Sequence, residues 1–121
     1  MAYIATQSCI LVTNNTTAEA QINSLPESNI MINNTPIYCA PLTGVINGAS
    51  QGSMVQAEPI PFTIQAKQIV GVKANDKGII GMGDASEPVS ITVTDPSSGA
   101  TATISVAVTV QDAGQNVVDA M

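Results

Sequence analysis

The strongest constraint in this chain is a pair of alternating segments separated by turn formers. Val89, Ile91 and Val93 alternate with Ser90, Thr92 and Thr94. Ile104, Val106, Val108 and Val110 alternate with Thr103, Ser105, Ala107 and Thr109. A period of two puts successive side chains on opposite faces, so each segment predicts a half-buried strand. Asp95-Pro-Ser-Ser-Gly99 between them is rich in turn residues. Residues 88–110 are therefore expected to form a β-hairpin, with odd positions of its first arm and even positions of its second facing the core.

Elsewhere the signals are shorter. Residues 4–13, 29–32, 36–39, 62–65, 69–74 and 78–82 read as strands. Residues 41–61, rich in Gly, Pro, Ser and Asn, read as a long loop with one short strand near 44–46. Residues 17–25, with Thr16 or Thr17 as N-cap and Pro26 as exit, offer two turns of helix. The tail 111–121 reads as a frayed or helical terminus. The expected fold class is all-β: a single small domain spanning 1–121, made of short strands and hairpins.

Composition limits the chemistry. The chain has 121 residues, three lysines, no arginine, no histidine, nine acidic residues and a net charge of −6. Charged residues are 10% of the total, against roughly 25% in ordinary globular chains. Without histidine, neither Ser-His-Asp nor Cys-His catalysis nor an imidazole metal site is expected. Without arginine there is no bidentate phosphate clamp, and the net negative charge argues against nucleic acid as a partner. Carboxylate pairs can hydrolyse glycosides, but Tyr3, Tyr38 and Phe62 are the only rings available to hold a sugar. No apolar run approaches the roughly 20 residues needed to span a bilayer. No signal peptide is read at the start, so synthesis in the cytoplasm is expected. A non-enzymatic role without cofactor follows.

Cys9 and Cys39 are expected as reduced, apolar thiols, with a disulfide as the alternative; they are also the only candidate metal ligands. Lys67, Lys73 and Lys77 lie within 11 positions, among Asp76, Asp84 and Glu87. They read as a solvated hairpin edge, or else as a contact for an acidic partner. Asp76, Asp84 and Glu87 lack the spacing of a dedicated calcium loop. Sequons at Asn14, Asn15 and Asn33 read as chance matches in an Asn- and Thr-rich chain.

The centre of the chain repeats. Ile30-Met-Ile-Asn-Asn-Thr-Pro-Ile37 matches Val72-Lys-Ala-Asn-Asp-Lys-Gly-Ile79 at a spacing of 42 residues. Both copies read as strand, two-residue Asn/Asp turn, strand, because Asn and Asp tolerate the positive φ of a type I′ turn. Asn33, Asn34, Asn75 and Asp76 would be the turn residues. Ile30, Ile32, Val72 and Ile79 would be core. A third echo falls at Leu11-Val-Thr-Asn-Asn-Thr-Thr17.

This pattern, with Gly83-Asp84 closing the second copy, resembles the repeat of PAAR-like spike-tip proteins over residues 25–84. Pro36-Ile-Tyr-Cys39 and Gly78-Ile-Ile-Gly81 stand where that family has Pro-Ala-Ala-Arg. The resemblance implies a conical β-prism capping the trimeric β-helical spike of a contractile injection machine. Phage tails, type VI secretion systems and extracellular injection systems carry such tips. It also implies effector cargo and brief contact with a target membrane. The family's metal site uses His and does not carry over to this chain. The competing expectation is an immunoglobulin-like decoration or adhesion module, which the hairpin at 88–110 resembles.

Overall fold

A computed structural model describes residues 3–32, 34–69 and 73–115. Among them there is no helix, and the chain is all-β. In chain order the strands are β1 (Ile10–Thr13), β2 (Glu19–Ile22), β3 (Glu27–Ile32), β4 (Thr35–Ile37), β5 (Leu42–Asn47), β6 (Ser50–Gln51) and β7 (Met54–Gln56). There follow β8 (Ile60–Ile64), β9 (Lys73–Ala74), β10 (Lys77–Gly78), β11 (Val89–Thr94), β12 (Thr101–Val106) and β13 (Val108–Asp112).

Six segments surround the larger core. β13 pairs with β1, β2 with β5, and β5 with β8. Residues 85–86 bridge the remaining distance, through Ala85 to Thr109 of β13 and Ser86 to Ile64 of β8. Five seams of this six-membered barrel thus carry β pairing. The sixth, β1 beside β2, carries none. The barrel encloses Leu42, Ile46, Phe62, Ile64, Val108 and Val110, all buried. Gly44 lets β2 and Phe62 approach: an added Cβ would overlap the Gln21 carbonyl oxygen and lie 2.7 Å from two Phe62 ring carbons.

β11 and β12 form the expected ribbon, in continuous register from Val89↔Val106 to Thr94↔Thr101. Ile91, Val93 and Val106 are buried in the larger core, while Ser90, Thr92, Thr103 and Ser105 are exposed. The second arm is shorter than its alternation suggests. It breaks at Ala107, and the residues beyond join another sheet as β13. Asn14 holds the break: its side-chain oxygen accepts from the Ala107 amide (3.0 Å), and its own amide donates to the Ala107 carbonyl (3.3 Å).

Several expectations are corrected. Residues 17–25 form no helix; β2 lies there, because Ala20 and Ile22 cover the core edge and tertiary pairing with β5 outweighs a weak propensity. Residues 41–61 are not a long loop: the short strand expected near 44–46 is the middle of β5, and β6, β7 and the start of β8 follow it. The run 4–13 is two pieces separated by a turn at Gln7 and Ser8. Leu11–Thr17 is no third hairpin: β1 and β2 flank a five-residue turn without pairing. In the tail, β13 reaches Asp112; residues 116–121 lie outside the described residues.

Candidate functional site: a three-cornered ring

The described residues of the two expected Asn/Asp turns have the geometry that Asn and Asp favour. β9 and β10 pair as Ala74↔Lys77, leaving Asn75 and Asp76 as a two-residue turn with φ of 53° and 64°. β3 and β4 pair as Ile32↔Thr35, with Asn34 at φ 64°. Asn33 and Val72 lie outside the described residues. The two hairpins are tied side by side through Glu27. Its Oε1 takes Lys77 Nζ at 2.6 Å and its Oε2 takes Asn75 Nδ2 at 3.0 Å. Asn75 Nδ2 also reaches Asn29 Oδ1 at 3.2 Å. The Lys77 hydrogen bond, with help from Asn75, holds the Glu27 carboxyl below its usual range.

Immediately after each hairpin the chain enters a corner of a ring. Three segments meet there: residues 3–7, 36–40 and 78–82. Each pairs antiparallel with both others, through Ile4↔Gly81, Thr6↔Ile37 and Cys39↔Ile79. The Ala5 amide donates to the Ile80 carbonyl (2.9 Å), the Ile80 amide to Tyr38 (3.1 Å), and the Tyr38 amide to Ala5 (2.9 Å). Two residues outward the pattern recurs. The Gln7 amide donates to Pro36, that of Ala40 to Gly78, and that of Met82 to Tyr3, each at 2.8 Å. Six hydrogen bonds thus close a cycle in which Ala5, Tyr38 and Ile80 are equivalent. One chain presents an approximate three-fold arrangement.

Strand alternation assigns the two sides of the ring. Ala5, Tyr38 and Ile80 point into the larger core. Ile4, Ile37 and Ile79 occupy equivalent positions one residue earlier and join a smaller core with Cys39, Ile69 and Ala74. Ile30 and Ile32 pack against that smaller core and are only partly buried. The hairpins lie on this side. From each corner a strand runs into the barrel: β1 from the first, β5 from the second, residues 84–86 from the third. Each is followed by a returning strand: β2, β8 and β13 respectively. The sequence repeat is therefore the part of a larger unit that is easiest to read.

Gly83 and Asp84 secure the third corner. Gly83, at φ 100°, makes the turn, and its amide donates to Val110 (2.9 Å). Asp84 is 1% exposed. Its Oδ1 accepts from the Lys67 and Gln68 amides and its Oδ2 from the Gly81 amide, all at 2.8 Å. These three donors compensate the buried carboxylate. The equivalent turn at the first corner has the Cys9 amide donating to Thr6 (2.9 Å), as Asp84 donates to Gly81 (3.0 Å).

The remaining candidates fall apart in space. Lys67 pairs with Glu87 (3.1 Å), both well exposed, while Lys77 belongs to the Glu27 cluster. Among the described residues no three His, Cys, Asp or Glu side chains converge as metal ligands. Both cysteines are free thiols, Cys9 at the edge of the larger core and Cys39 in the smaller one. Burial pushes the Cys9 thiol up to about 11 and raises that of Cys39.

The corner at 3–7 is the element that sequence reasoning missed. Its one signal is an isoleucine matching Ile37 and Ile79. Tyr3, Pro36 and Gly78 share no side-chain chemistry, because the ring is held by backbone groups. No protein-family model, curated protein or solved structure matches this chain.

Proposed function

We propose that this protein is a non-enzymatic cap seated on the trimeric β-helical spike of a contractile injection machine. The observation that carries the proposal is the cyclic ring joining residues 3–7, 36–40 and 78–82. A single chain can meet three identical subunits equally only if it presents three similar sectors itself. The unit of corner, descending strand and returning strand supplies them. The barrel end lies towards the spike, and the two hairpins form the leading end, where Met31 is 53% exposed for contact with a target membrane. Effector cargo would be carried by the same particle. The protein is made in the cytoplasm and leaves with the particle.

Particles from the producing cells, imaged at the spike end without imposed symmetry, are expected to carry one copy on the spike axis. Many copies along a shell or fibre would overturn the proposal and favour the decoration module, for which the β11–β12 ribbon with its Thr/Ser face is the supporting feature.

A further inference from the structure

The turns that follow the three descending strands are unequal. The first is the short connection 14–18, the second carries β6 and β7, and the third carries the β11–β12 ribbon. The ribbon lies at the barrel end away from the ring. Val93 pairs with Gln56, whose side chain donates to the carbonyl of Ile46, near the far end of β5 (2.7 Å). At its other end, Ala107 meets Asn14, just past the far end of β1.

β12 is the outermost strand of its sheet, in the order β12-β11-β7-β6. The Asp95 amide donates to the Ala100 carbonyl (2.8 Å), which fixes the ladder's phase. Stepping by two, the bonded pairs are Val93/Ala102, Ile91/Ile104 and Val89/Val106. The backbone N–H and C=O groups of Thr101, Thr103 and Ser105 therefore point away from β11. All three residues are exposed, and no hydrogen bond of theirs beyond the ladder is seen. Proteins normally blunt such an edge with Lys, Pro or a bulge. β12 has none of these: it is six residues long, regular and uncharged.

We infer that the outer edge of β12 accepts an extended strand from the spike, which extends the β12–β11–β7–β6 sheet across the joint. This inference rests on the functional reading above. The unpaired groups call for an extended backbone. Charge selects its source. Residues 96–111 carry no charged side chain, whereas the whole chain is at −6. A second copy would bring another −6, so the edge favours a neutral or basic strand from a different chain. Among the described residues only the third sector carries a free six-residue edge on its turn, so this edge also fixes which of three equivalent seatings the cap takes.

The test replaces Thr103 with proline, which removes an outward N–H and leaves the β11 ladder bonds in place. Thr103→Val, which keeps the N–H, is the control. Particles from cells making Thr103→Pro are expected to carry the protein at about one-tenth of the wild-type level or less, and those with Thr103→Val at the wild-type level. In parallel, amide exchange at Thr101, Thr103 and Ser105 is expected to be fast in the free protein and slow in wild-type particles. This readout stands even if the proline variant folds poorly. Equal loading of both variants, or fast exchange at these amides in the particle, would overturn the inference while the cap function survives. A free-protein dimer abolished by Thr103→Pro would also overturn it, since the edge would then serve a second copy. Wild-type particles lacking the protein on the spike axis would instead overturn the functional reading itself.

Discussion

Two carboxylates show how little side-chain chemistry this protein needs, and how much depends on it. Asp84 compensates three backbone donors at once, from Lys67, Gln68 and Gly81. Asp84→Ala leaves those donors without their acceptor beside the ring, and urea unfolding should report a loss of about 3 kcal/mol or more. Asp84→Asn, which keeps one acceptor oxygen, is expected to fall between the variant and wild type. Asp95, half-buried at the hairpin turn, is a counterpart. Hydrogen bonds from the side chain and amide of Ser97, with one from Ser53, pull it down to about 2. Its folded pKa is depressed, so its contribution is complete above the unfolded value of 3.8 and is lost as pH falls through about 2. The Ser97 amide resonance should titrate with a midpoint near 2, and Asp95→Asn should abolish that step. Sequence alone marked Asp84 as part of a Gly-Asp ending. It gave no hint of the three amides, because their donors come from residues 67, 68 and 81, which only the fold brings together.

At the level of elements, what was legible depended on whether the cause was local. The Asn75-Asp76 turn and the alternation of Val89–Thr94 are set by neighbouring residues, and both stood out in the sequence. The break at Ala107 depends on Asn14, 93 positions away, so Thr103–Val110 reads as one strand. β5 reads too short in the sequence, as 44–46, for a related reason. Leu42-Thr-Gly-Val-Ile-Asn47 contains a glycine where a strand normally places a side chain. Here Gly44 is required by contact, since Gln21 and Phe62 fill the space a Cβ would need. Gly44→Ala is therefore expected to cost about 1–3 kcal/mol in thermal or denaturant unfolding, despite alanine's harmless reputation.

For the whole molecule, the three-fold character resides in the backbone, so only a faint repeat reached the side chains. The unequal turns between descending and returning strands hide the period further: 33 residues separate Ala5 from Tyr38, and 42 separate Tyr38 from Ile80. Where the sectors differ most is the unpaired seam between β1 and β2. Val110 and Val108 direct their backbone groups to residues 83–86, which leaves the Leu11 and Thr13 amides facing the seam. Asn23 donates to Thr43, which by the same alternation turns the Ala20 and Ile22 amides to the seam from the other side. Hydrogen exchange should find these four amides the fastest of the six barrel segments, while those of Ile46 and Val110 are among the slowest. In mechanical terms the barrel is a split collar rather than a closed hoop. Pressed along its axis, it can yield at one prepared line while five paired seams and the ring above them keep their register.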